Sequence, residues 1–240
     1  MHRSIASAIL PLAAAAALAL AATAHAALMN WGAPATITGD SDVSTAGTLI
    51  AAANIGDTTA ATTTVNGVPF LPWNSNSFTS FGIFSFSAPV GGFVLGGSPA
   101  GPFSNLSASY RNLLLSSASN NSSVNGNGPV PISFTLAGLT PGNTYAFEWW
   151  SSVPVSAFAS ATSTATAGAS VTLAANPTGV NGGLGQFALG TFTADAITQD
   201  MTISVSSIMN AVQLRQIPEP ATATLLALGV GGLLARRRRR

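Results

Sequence analysis

The sequence predicts an all-β protein, an antiparallel two-sheet sandwich of the jelly-roll kind, with an N-terminal signal helix and a short apolar helix at the C-terminus. Three observations predict it. Charged residues are 6% of the chain and hydrophobic ones 47%, while the balance is mostly Gly, Ser, Thr and Asn, a composition of strands and turns and not of solvated helices. Apolar and hydroxyl side chains alternate with period two in several stretches. About ten such stretches recur at intervals of roughly 10–20 residues, which suits a sandwich better than a parallel α/β sheet.

At the N-terminus, Arg3 precedes an apolar run over residues 5–22, followed by Ala24-His25-Ala26. A basic start, an apolar helix and a small-x-small site are what a signal peptidase accepts, with cleavage expected after Ala26.

Strands are then expected over residues 35–38, 48–53, 64–70, 81–87, 131–136, 143–149, 170–173, 187–193, 201–205 and 210–216. Tyr145, Phe147 and Trp149 fall on one face of the 143–149 strand. The turn Leu139-Thr140-Pro141-Gly142-Asn143-Thr144-Tyr145 brings an aromatic hydroxyl within reach of the loop before it, the logic of a tyrosine corner. Residues 116–128 and 176–185, rich in Asn and Gly, read as the long loops, where any binding rim would lie. No long 3.6-residue period appears between Ala26 and the C-terminal tail, and no fixed-period repeat is visible. The hydroxyl-rich tracts 58–64 and 160–166 read as exposed strand or loop, open to glycosylation. A flat, regularly spaced threonine array of the kind that binds ice would be expected to show as such a repeat.

Charge and residue type exclude several functions. Six of the eight basic residues, Arg3 and Arg236 to Arg240, lie in the terminal segments, which leaves Arg111 and Arg215 against seven acids, Glu219 of the tail among them, and a net charge of −5. A nucleic-acid partner would find no basic surface there. Cysteine is absent and both histidines, His2 and His25, precede the expected cleavage point. Lysine is absent too, so Ser-His-Asp and Cys-His nucleophilic mechanisms have no base. Carboxylate chemistry of the glycoside-hydrolase kind would need two of Glu148, Asp195 and Asp200 within roughly 5–10 Å. Asp40-Ser41-Asp42-Val43-Ser44 alternates oxygen ligands as calcium sites do, but Thr45 and Ala51 stand where an EF-hand needs Gly and Glu. A loop calcium site on Asp40 and Asp42 competes with a capped turn, and no other cofactor is expected. Gly183-Leu184-Gly185-Gln186-Phe187-Ala188 reads as a glycine turn, since no helix signal follows it. Trp149 and Trp150 are adjacent in a strand, so one must point away from the sandwich core, where a flat ring could stack on a sugar. The expectation is a non-enzyme.

At the C-terminus, Pro218-Glu219-Pro220 leads into the apolar run 221–235 and then Arg236, Arg237, Arg238, Arg239 and Arg240. As a helix that run reaches about 22 Å, short of the roughly 30 Å hydrocarbon core. The arginines favour a cytoplasmic end and so leave the prolines at the outer face. This order of features resembles the PEP-CTERM sorting signal of Gram-negative bacteria. The resemblance implies recognition of Pro218, Glu219 and Pro220 by an exosortase, a membrane-embedded, cysteine transpeptidase-like enzyme. It further implies transient residence in the inner membrane, removal of the tail, and delivery to the cell surface or the exopolysaccharide matrix.

The body is similar to the globular part of many such proteins through residues 39–49, 65–70, 139–145 with Trp149, 190–195 and 210–215. Many relatives carry Asp-x-Arg just after the Trp-bearing strand, where this chain has Ser151-Ser152-Val153-Pro154. The expected division is a signal peptide at 1–26, a β-sandwich domain at 27–216 and the sorting signal at 217–240. A surface or matrix protein of structural or adhesive role is the leading expectation. A carbohydrate-binding module and a carboxylate-based glycan hydrolase are the alternatives, with extracellular polysaccharide as the partner in view.

Overall fold

A computed structural model describes residues 27–56, 61–75, 79–87, 90–94, 100–119, 131–158, 161–205 and 208–218. The expected signal peptide, with Ala24 and Ala26, and the tail from Glu219 through Arg236, Arg237, Arg238, Arg239 and Arg240 lie outside them.

Period-two alternation is realised as strands. In chain order they are β1 (Asn30–Trp31), β2 (Ala35–Thr36), β3 (Thr48–Ile55), β4 (Thr63–Val65), β5 (Val68–Trp73), β6 (Ser80–Phe81), β7 (Phe84–Phe86) and β8 (Gly91–Val94). After the helix α1 (Ala108–Leu115) come β9 (Ser116–Ser119), β10 (Pro131–Ala137), β11 (Thr144–Ser151), β12 (Thr162–Ala167), β13 (Ala169–Ala174), β14 (Gln186–Thr193), β15 (Thr198–Val205) and β16 (Ala211–Ile217).

One sheet runs β1-β14-β11-β16-β3-β5-β4, with β2 also on β14, and the other runs β13-β12-β15-β10-β7-β6. From β10 to β16 the chain changes sheet at every connection except the β12–β13 hairpin. The four-strand cores β14-β11-β16-β3 and β13-β12-β15-β10 therefore have the doubled Greek-key order of a jelly roll. Among the described residues the strands pair antiparallel except β3 with β5, and the isolated Met29–Gly168 bridge is parallel as well.

The inner faces enclose one core, in which Trp73 stacks on Phe86 with ring centroids 4.9 Å apart and Phe134 packs edge-on to Phe86 at 5.1 Å. A second core lies on the outer face of the larger sheet, where α1, the β4–β5 hairpin and residues 37–43 cover Trp150, Ala52 and Ala211.

Three expectations change here. The body contains a helix: Ser107 caps α1 by accepting from the Tyr110 N–H at 3.1 Å, and Tyr110, Leu113 and Leu114 bury one face. Eight residues with a single apolar stripe are too few for a visible 3.6 period. Residues 64–70 are a hairpin and not one strand, because Asn66 (φ 47°) and Gly67 (φ 75°) both take positive φ, as a type I′ turn requires. Ser116–Ser119, read as loop, is β9 and pairs with β8. The hydroxyl-rich tract 160–166, expected as exposed strand or loop, supplies strand β12 from Thr162 onward, inside the smaller sheet.

The tyrosine corner is present. The Thr140 N–H donates to the Tyr145 hydroxyl at 2.9 Å, and Tyr145 is buried.

Candidate functional site

Trp149 and Trp150 point to opposite faces of β11 as their adjacency requires, yet both are fully buried. Trp149 belongs to the inner core. Trp150 does point away from it, but into the second core, edge-on to Phe70 at 5.7 Å and stacked on Phe187 at 6.3 Å. Its indole N–H donates to the Tyr110 hydroxyl at 2.9 Å. The expected solvent-facing ring is thus covered by α1 and the β4–β5 hairpin. Among the described side chains no Trp, Tyr or Phe is in the exposed class; Trp31, Phe81 and Phe187 are half-buried.

Glu148 lies on the same outer face of β11, 2% exposed. Its Oε2 accepts from the Ser44 N–H at 3.1 Å and from the Gln213 side-chain amide. Burial pushes its carboxyl up to about 7, against which the Gln213 and Ser44 hydrogen bonds pull down. Beside it Arg215 donates to three successive carbonyls, through Nη2 to Thr45 (3.1 Å) and Gly47 (2.9 Å) and through Nε to Ala46 (2.8 Å). Arg215 Nη1 also reaches Gln213 Oε1 at 3.4 Å, and Gln213 Nε2 reaches the Ser44 carbonyl at 3.1 Å. Glu148, Gln213 and Arg215 together hold residues 44–47 as a strap over the end of the sheet. A guanidinium fork suits this task because its donors satisfy several turn carbonyls at once.

Gln213 and Arg215 were not singled out by sequence reasoning. The available signal was an arginine within an otherwise uncharged alternating strand.

Asp42 serves the same region as a turn cap. Its Oδ2 accepts from the backbone N–H of Thr38 (2.6 Å) and Gly39 (3.0 Å), and its Oδ1 accepts from the Thr38 hydroxyl (2.6 Å). The Tyr110 hydroxyl donates to Asp42 at 3.3 Å, and Ser107 donates to Asp40 at 2.7 Å. Two backbone N–H groups and two hydroxyls thus donate to Asp42, as in a capped turn. No group of three or more His, Cys, Asp or Glu that could hold a metal occurs among the described residues.

Glu148 is not brought beside either of the other carboxylates considered for hydrolysis, Asp195 and Asp200. Glu148 faces outward from the larger sheet and Asp200 outward from the smaller one, where it accepts from the Thr135 hydroxyl. Sheets packed about 10 Å apart then separate them by more than that thickness. Asp195 lies six residues beyond Leu189, the cross-strand partner of Glu148, which along a strand is about 20 Å.

The solvent face of the smaller sheet is ordered. Register places Ser170, Thr166, Thr202 and Ser133 in one row across β13, β12, β15 and β10. Thr172, Thr164 and Ser204 form the next row. Thr135, Ser85 and Ser80 continue from Asp200 toward the other edge. Neighbours bond to one another, Thr164 with Thr172 at 2.8 Å and Thr166 with Ser170 at 2.9 Å. A repeat absent along the sequence is therefore present across strands, with hydroxyls about 4.8 Å apart in each row. Asp200 is the one charged side chain on the described strands of this sheet.

Pro218 follows the last residue of β16 directly and is exposed. Here the chain matches a family model for the PEP-CTERM protein-sorting motif over residues 216–240. No curated protein and no solved structure matches the chain.

Proposed function

We propose, from the PEP-CTERM sorting motif at its C-terminus, that this exported, exosortase-sorted protein is a non-enzymatic adhesive or structural component of the cell surface or extracellular matrix. One observation carries the adhesive part: the registered, nearly uncharged hydroxyl face of the smaller sheet. Each Ser or Thr hydroxyl has one donor and two acceptor sites, and a pair bonded to each other keeps capacity free toward a partner. A neutral extracellular polysaccharide, itself an array of hydroxyls, matches such a face. The absence of exposed rings among the described side chains favours hydrogen bonding over ring stacking, which distinguishes this reading from a Trp-based carbohydrate-binding module.

Removal of residues 1–26 by signal peptidase and transient seating of residues 221–235 in the inner membrane belong to the same proposal. No helix among the described residues is long and apolar enough to cross a membrane. The short apolar run lies outside those residues.

The test has two arms. In cells with the sorting enzyme the mature protein is expected to lack the arginine tail and to reside at the surface, and Glu219→Ala or loss of the enzyme is expected to leave the tail in place. An intact tail on the surface protein would overturn the sorting reading. In a screen of neutral glycans, the triple variant Thr164→Val, Thr166→Val, Thr202→Val is expected to lose binding at unchanged thermal stability. Thermal hysteresis in place of glycan binding would reassign the same face to ice.

A further inference from the structure

We infer that the end of the sandwich from which the tail emerges is a bilayer-facing surface that seats Leu28 and Ile197 in the lipid headgroup layer while the chain is tethered. The inference rests on the sorting reading above and adds to it an orientation and a contact surface.

The position of the chain ends comes first. Ile217 pairs with Thr144 at the start of β11, and Thr144 pairs with Thr193 at the end of β14. On β1, Asn30 pairs with Thr191, so residues 27–29 run toward the same end. Met29 bridges to Gly168 there. Both apolar terminal segments, residues 5–22 and 221–235, therefore join the body at one end. A precursor held in the membrane at both ends requires that placement.

The tether is short. Only Pro218, Glu219 and Pro220 separate β16 from the apolar run that begins at Ala221. Four Cα steps reach about 14 Å at most, less than the length of β16 itself at about 3.3 Å per residue. β16 cannot move away to lengthen the tether, since it is bonded on both sides, to β11 and to β3. With the run inserted, this end of the sandwich has to lie against the headgroups.

The surface suits that position. Leu28 and Ile197 are 76% and 66% exposed, the two highest values among the exposed large hydrophobic side chains of the described residues. Both lie at this end. Leu28 rests on the β12–β13 turn at Gly168, and Ile197 lies in the 194–197 turn, whose carbonyl accepts from the Leu139 N–H at 3.0 Å. Single exposed apolar residues are ordinary, but the two most exposed ones at the tethered end match the short apolar anchors of an interfacial surface. The strap of residues 44–47 lies at the same end, with the Arg215 charge turned inward to its carbonyls. Asp195 is the exposed charge beside Ile197. Contact is therefore apolar and does not depend on anionic lipid.

The chain has no cysteine, so single-cysteine labelling is clean. The full-length chain is reconstituted in phosphatidylcholine vesicles with a fluorophore at Ile197→Cys, at Val180→Cys in the loop at the opposite end, or at Ala227→Cys within the apolar run. Quenching by headgroup spin-labelled lipid is expected to be several-fold stronger at position 197 than at 180, and acyl-chain spin label is expected to quench position 227. Equal headgroup quenching at 197 and 180, with 227 quenched, overturns this inference alone. An unquenched 227 overturns it together with the membrane tether. Quenching at 197 that appears only when the sorting enzyme is co-reconstituted assigns the surface to the enzyme and overturns the lipid contact.

Discussion

The side-chain amide of Asn210 donates to the Leu114 carbonyl at 2.8 Å across 96 positions of sequence. Leu114 lies in the last turn of α1, where carbonyls have no partner within the helix. The same Nδ2 reaches the carbonyls of Ser116 (2.9 Å) and Ser152 (3.1 Å), and Oδ1 accepts from the Ser152 N–H at 2.6 Å. One buried amide thus joins the helix, β9, the segment after β11 and the start of β16. Asn210→Ala leaves those groups buried without this partner and is expected to cost about 3 kcal/mol or more. A urea-unfolding midpoint near that of the parent chain would contradict it.

Glu148 gives the fold a pH dependence of definite sign. Its folded-state carboxyl titrates near 7 against 4.5 for a free glutamate, so the folded state binds more protons than the unfolded chain between those values. The associated stability is fully present below 4.5 and is lost as pH rises through 7. The melting temperature of the parent chain is expected to fall by several degrees between pH 5 and pH 8. Glu148→Gln, which keeps an acceptor and a donor without the charge, is expected to flatten that slope.

Trp150 and Tyr110 are a structural pair. Trp150→Ala opens the second core and is expected to cost about 3–5 kcal/mol. Tyr110→Phe removes the acceptor of the buried indole N–H and is expected to cost about 1–2 kcal/mol. Thermal denaturation of both variants ranks them. Loss of glycan binding in Trp150→Ala with stability unchanged would return the residue to a surface role.

Two glycines separate conformational cost from steric cost. At Gly67 an added Cβ meets open space, so Gly67→Ala is expected to cost about 1 kcal/mol for positive φ alone. At Gly182, also at positive φ, the Cβ would overlap the Ala100 carbonyl. Gly182→Ala is therefore expected to destabilise several-fold more in chemical denaturation, and equal effects would count against this packing.

Much of the sandwich was legible along the chain, because strand alternation is a local property of the pleat. Residues 131–136 carry Ile132, Phe134 and Leu136 inward, and no distant contact is needed to see it. Asn66-Gly67 carries the type I′ signature, but the residues on either side alternate without a break and so give the pattern of one strand. The strap was not legible. Nothing local links Arg215 to the carbonyls of residues 45–47, 168–170 positions earlier in the chain.

The sorting tail, the period of the strands and the absence of a histidine, cysteine or lysine base in the body are all local properties, since each depends on residue type and near neighbours. Tertiary structure alone decided which outward faces meet solvent. Trp150 leaves the inner core as alternation demands, yet α1 and the β4–β5 hairpin, remote in sequence, cover it. Thr166 and Thr202 are 36 residues apart and become neighbours only through the register of β12 and β15. Packing between distant segments converts a local pattern into either a second core or an ordered surface, and no single segment contains that choice.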